Sequence, residues 1–171
     1  MAGINAPVSQ ALRWCGWEVD SFDWSINPSH DLRDQEVQRH VQALVVKADA
    51  VMVAMDCSTY SRARERPIPG HPNAPQPLRS AEHVLGLPGL SSKDLAKVRD
   101  ANNITKFLAG LPDAAGQAAF VFENPELAWL WQDPRIRRLP WRRQVQAPEA
   151  FDTSAGAGQA PVRVSPHPRA R

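Results

Sequence analysis

Only two cysteines, Cys15 and Cys57, occur in the 171 residues. That excludes a disulfide scaffold and a four-cysteine zinc site. The five histidines stand at 30, 40, 71, 83 and 167 with no ligand spacing, so no metal centre is expected. Long apolar runs are absent as well: none approaches the roughly 20 residues that span a bilayer, so no membrane segment is expected. The opening MAGINAPVSQALRW has no basic stretch followed by an apolar one. No secretory signal is expected there, which places the chain in a cytoplasmic or nuclear setting with reduced thiols. No internal repeat is visible, which excludes a solenoid.

What is present suits one domain. Hydrophobic residues make up 43%, enough for a sizeable core, and charged residues make up 22%, close to the globular average. The net charge of +2 is unevenly placed. Residues 1–134 carry 12 Lys+Arg against 16 Asp+Glu, whereas residues 135–171 carry 8 Arg, no Lys, and only Glu149 and Asp152. Guanidinium groups match phosphate oxygens, so an arginine-only basic end can grip nucleic acid; a merely solvated tail has the same composition.

Periodicity divides the chain. Residues 7–15 predict a helix, with Pro7 in its first turn and Gly16 just past its end. Residues 17–24, WEVDSFDW, alternate and predict a strand. Val37, Val41, Leu44 and Val45 are helically spaced within 34–47. DAVMVAMD at 49–56 reads as a strand buried on both faces. Residues 57–92 lack a period and hold five prolines between Pro67 and Pro77, so they predict a long loop. A helix is predicted over 93–110, capped by Ser91 or Ser92, with Leu95, Val98, Ala101, Phe107 and Leu108 near one face. AAFVFENP at 118–125 predicts a second buried strand, and ELAWLWQD a short helix whose Trp129 and Trp131 pack or stack on bases. Residues 137–146 can supply a further strand, and the Gly, Ala, Pro and Arg rich stretch 148–171 predicts disorder. Alternation of helix and strand predicts an α/β fold: a layered parallel sheet with helices on both faces, over residues 1–147.

In such sheets ligands bind beyond the carboxyl ends of the strands. Three groups are expected there: Asp23, Asp56-Cys57-Ser58 and Glu123-Asn124-Pro125. A cysteine in a turn after a strand, with Arg62, Arg64 and Arg66 nearby, can act as a thiolate nucleophile, or it can be an inert buried thiol. A glutamate ending an apolar strand would carry a raised pKa if buried and could donate a proton; a helix cap is the plain alternative.

Together these segments resemble the catalytic half of DNA (cytosine-5) methyltransferases. In that family a Pro-Cys motif supplies the nucleophile and Glu-Asn-Val the glutamate; here the motifs read Asp56-Cys57 and Glu123-Asn124-Pro125. The run Cys57-Ser58-Thr59-Tyr60-Ser61-Arg62-Ala63-Arg64-Glu65 is similar to that of divergent relatives. The resemblance implies Cys57, Glu123 and Asn124 as catalytic residues. It implies Asp23, Asp31 and Asp56 as contacts to S-adenosylmethionine, with Arg33 or Asp34 as substitutes for Asp31. It also implies Ser58, Ser61, Arg62 and Arg64 as contacts to DNA. The family's first strand and Phe-x-Gly-x-Gly loop should precede the helix at 7–15, where Met1-Ala2-Gly3-Ile4-Asn5 stands. The implied fold is therefore an incomplete Rossmann-like sheet, with cofactor binding weak or lost and activity in doubt. Two rival readings accompany it: a catalytically dead nucleic-acid-binding module, and an unrelated cysteine hydrolase using Cys57 with His71 or His83.

Overall fold

Helix formation begins where the first apolar-periodic residues follow Pro7. In the computed structural model, which describes residues 7–66, 69–71 and 74–140, helix α1 spans Pro7–Trp14. Gly16 follows at φ 86°, the left-handed geometry that ends helices cheaply only with glycine. Helix α2 spans Gln35–Val45, and Asp34 caps it by accepting from the Glu36 N–H at 2.8 Å. Its buried stripe, Val41 and Val45, is the one the helical spacing marks.

Strand β1 spans Ala50–Ala54 and strand β2 spans Ala119–Glu123. They form a two-stranded parallel sheet running in register from Ala50 opposite Ala119 to Ala54 opposite Glu123. Between them helix α3 covers Ser92–Ala114, capped by Ser91, whose hydroxyl accepts from the Asp94 N–H. It runs past Gly110 and Pro112 because Leu111 and Ala115 are buried, and that packing outweighs two poor helix formers. After β2 come a 3-10 turn at Trp129–Gln132 and helix α4 at Pro134–Arg137, capped by Asp133. The architecture is thus mixed helix and strand around a small open parallel sheet, compatible with an α/β class.

One core serves these elements. Val41 and Val45 of α2, Val53 of β1, and Leu108, Ala109 and Leu111 of α3 pack with Met55, Tyr60, Leu130, Ile136 and Leu139. Among its described residues the loop between β1 and α3 is irregular, as its prolines predict, apart from a 3-10 turn at Arg62–Glu65. It nevertheless buries Tyr60, Leu78 and Arg79. Gly86 lets it press on α3: with φ at 131°, a Cβ there would stand 2.8 Å from Val98 Cγ1.

Four expectations need correction. Residues 17–23 are not a strand and are tied back to α1 instead. Arg13 donates to the Val19 carbonyl at 2.7 Å, and Ser21 donates to Ser9 at 2.8 Å. Neither strand is buried on both faces: Met52 and Val121, register partners, are 50% and 56% exposed, and the core-facing side holds Val53, Phe120 and Phe122. Helices accordingly do not cover both faces of this sheet among the described residues. Leu95 lies outside the buried stripe of α3, at 56% exposure, and Thr105 lies inside it. Of the strand expected at 137–146, residues 137–140 form the end of α4, a turn and irregular chain. Its remainder, the boundary at 147 and the tail at 148–171 lie outside the described residues. No helix among the described residues is long and apolar enough to cross a membrane.

Candidate functional site

Because β1 and β2 are parallel and in register, their carboxyl ends meet at one edge. Cys57 follows Ala54 by three residues, and Ala54 faces Glu123. Their Cα atoms are therefore within about 16 Å, three residues of extended chain plus one strand spacing. A side-chain bond closes the edge. Asn124 Nδ2 donates to the Met55 carbonyl at 3.0 Å, joining the end of β2 to the end of β1. The carbonyl can only accept, so the amide orientation is determined. Its other atom, Oδ1, is buried with no hydrogen-bond partner among the described residues.

Past Met55 the chain turns tightly. The Asp56 carboxylate accepts from the Ser58 N–H at 2.9 Å and from the Ser58 hydroxyl at 2.7 Å. The Cys57 carbonyl accepts from the N–H groups of Tyr60 and Ser61 at 2.9 and 2.7 Å. The thiol is half-buried. Ser61 then caps the 3-10 turn by accepting from the Ala63 N–H at 3.2 Å. Arg64 reaches back, donating to the Ser58 carbonyl at 2.6 Å and to the Gln76 carbonyl at 3.2 Å. Arg62 pairs with Glu65 at 3.1 Å and lies 4.8 Å from the Trp129 ring centroid. The Trp129 indole donates to Glu65 at 2.7 Å, while its backbone N–H donates to the Tyr60 carbonyl at 2.9 Å. The two segments at the sheet edge are thus laced together; of the two arginines expected on DNA phosphates, Arg62 reaches across to Trp129 and Arg64 ties the loop after β1 to itself.

Glu123 departs from expectation. It is exposed rather than buried; its buried neighbour is Asn124, at 9% exposure. The reason is the alternation of β2, which places Val121 and Glu123 on the open face.

The acids of the first half behave differently. Asp23 is buried, and its Oδ1 accepts from the N–H and hydroxyl of Ser25 at 2.9 and 2.6 Å, stabilising a turn. Asp31 is held by Arg33 through three bonds from Nε and Nη2, the shortest 2.6 Å. These bonds hold the Asp31 carboxyl below the usual range and raise the guanidinium. Asp34 caps α2. A cleft of about 480 Å³ lies nearby, lined by Arg13, Asp20, Ser21, Phe22, His30 and His40 among others; none of Asp23, Asp31 or Asp56 lines it. The three carboxylates assigned to S-adenosylmethionine each hold their own chain, and they do not meet at this cleft. As they stand, they do not fit a ribose or an adenine amine.

Arg79 is a residue that sequence reasoning missed. An arginine among prolines reads as solvated, yet this one is 2% exposed. Among the described residues no group of three or more His, Cys, Asp and Glu could hold a metal. No family model, curated protein or solved structure matches the chain.

Proposed function

We propose that the chain carries a DNA cytosine-5 methyltransferase-like domain, an incomplete Rossmann-like sheet whose carboxyl edge addresses a cytosine through Cys57 and Glu123. One observation carries the reading: the Cys57 turn and Glu123-Asn124 leave adjacent parallel strands at the same edge, joined by the bond from Asn124 to the Met55 carbonyl. A nucleophile and a proton donor for one base must share such an edge.

A cytosine turned out of its stack presents C6 and N3 together. The Cys57 thiolate adds to C6, the C5–C6 π pair moves toward N3, and N3 takes a proton that the Glu123 carboxylate relays from water. The product is a neutral enamine nucleophilic at C5. S-adenosylmethionine supplies a methyl group in the enzymes this chain resembles. The acids here do not fit it, so at the adduct C5 takes a proton from water. Loss of the original C5 hydrogen, return of the N3 proton through Glu123 and expulsion of the thiolate then regenerate cytosine. The binding-module reading is favoured by the same closed acids, since it needs no cofactor.

The test is release of tritium into water from DNA labelled at cytosine C5, with no methyl donor present. Cys57-dependent release, abolished in Cys57→Ser and strongly reduced in Glu123→Gln, is the expected result. DNA binding without release leaves the binding module, and neither binding nor release overturns both readings. Calorimetric titration with S-adenosylhomocysteine is expected to give no saturable heat. Saturable binding lost in Asp31→Ala would restore the cofactor assignment.

A further inference from the structure

Arg79 lies in the proline-rich loop, yet its guanidinium is buried behind the Cys57 turn. Nε donates to the Thr59 carbonyl at 3.1 Å and Nη2 to the Thr59 hydroxyl at 3.0 Å. Nη1 donates to the Val84 carbonyl at 2.6 Å and to Asn102 Oδ1 at 2.9 Å. The guanidinium carbon stands 3.7 Å from the centroid of the Tyr60 ring, whose hydroxyl bonds Thr105 on α3 at 2.9 Å. One side chain thereby joins the turn at 57–61, the loop at 84 and helix α3.

Such a placement is costly. Among the described residues no carboxylate pairs with Arg79, and the nearby buried Asp133 is paired with Arg135 at 2.5 Å. A desolvated cation is tolerated only when its donors are satisfied, and here four are. A planar fork can serve Thr59 twice and two other acceptors at once, which the single ammonium of lysine cannot do. Thr59 is two residues from Cys57, and Tyr60 donates to the Cys57 carbonyl.

We propose that Arg79 is a positioning residue: its fork holds Thr59 and Tyr60 and so sets where the Cys57 thiol stands at the sheet edge. The proposal rests on reading Cys57 as a nucleophile, and its test separates the two. Cys15→Ser serves as the parent, so that Cys57 is the one thiol. In that parent, Arg79→Lys is compared at saturating labelled DNA, at a temperature where both proteins are fully folded. The expected result is a fall in tritium release of about a hundredfold, the scale on which about 1 Å of misplacement acts. A fall smaller than tenfold overturns the proposal. Should Arg79→Lys fail to unfold cooperatively, Thr59→Val removes one acceptor while keeping the shape, and the same tenfold criterion applies. Should the parent release no tritium, the nucleophile reading fails and position is read directly from alkylation of Cys57 by iodoacetamide. A rate at least threefold higher in Arg79→Lys then supports the positioning role, and a smaller change overturns it.

Discussion

The carboxyl edge of the sheet and the acidic segment at 17–34 are built by opposite means. At the edge, beside local bonds such as Asp56 to Ser58, several polar bonds are long in sequence: Asn124 to Met55, Trp129 to Glu65, Tyr60 to Thr105, Arg79 to Thr59. In the acidic segment the carboxylates and amides bond mostly close in sequence, Asp23 to Ser25, Asn27 to Ser29, Asp31 to Arg33 and Asp34 to Glu36, with Arg33 to Asp100 at 3.5 Å the long bond. Bonds between distant residues hold elements in place, so a catalytic geometry can be read from them. Bonds between residues two apart are turn and cap chemistry that Asp and Asn make in any context. The contrast separates the two halves of the resemblance. Its nucleophile half has a tertiary scaffold, whereas its cofactor half has acids engaged with their own backbone.

The contrast can be broken by mutation, most strongly in the core beneath the edge. Leu130, fully buried, should lose about 2–5 kcal/mol on Leu130→Ala. Leu12 on α1, at 36% exposure and in a helix without buried residues, should lose less than about 0.5 kcal/mol on Leu12→Ala. Urea unfolding of both variants checks this; equal losses would erase the distinction.

Next in size is the bond that closes the edge. Asn124→Ala removes the donor to Met55 and should cost about 1 kcal/mol. Asn124→Asp should cost more, because it sets a carboxylate against a carbonyl without a donor. A reversed order in denaturant midpoints would mean that Oδ1 finds a donor in solution.

The smallest effect belongs to the acidic segment. Arg33 holds the Asp31 carboxyl below its ordinary value. Its contribution is therefore complete above the unfolded pKa of about 4 and is lost as pH falls through the lower folded value. The pair is largely exposed, so the contribution should stay under about 1 kcal/mol. Asp31→Asn should lower the neutral plateau by less than about 1 kcal/mol and flatten the acid limb of stability below about pH 4, where the two proteins converge, as urea titrations at each pH would show.

Much of the local structure was legible in the residues alone. Periodic apolar positions marked α2 and α3, Asp34 and Ser91 marked their starts, and the two short apolar runs marked β1 and β2. Those are properties of neighbours along the chain, where backbone hydrogen bonding and side-chain spacing suffice. The edge that unites Cys57 with Glu123 followed from alternation, since parallel strands put their carboxyl ends together. Pairing partners and covering layers were not legible. WEVDSFDW has the alternation of a strand but stands outside the sheet formed among the described residues, and AVMVA and AFVFE are apolar enough for a buried sheet yet leave Met52 and Val121 in the open. The burial of Arg79 was equally hidden, because a guanidinium leaves water only where several distant acceptors converge on it. Here these are Thr59, Val84 and Asn102, which only the folded chain brings to one place.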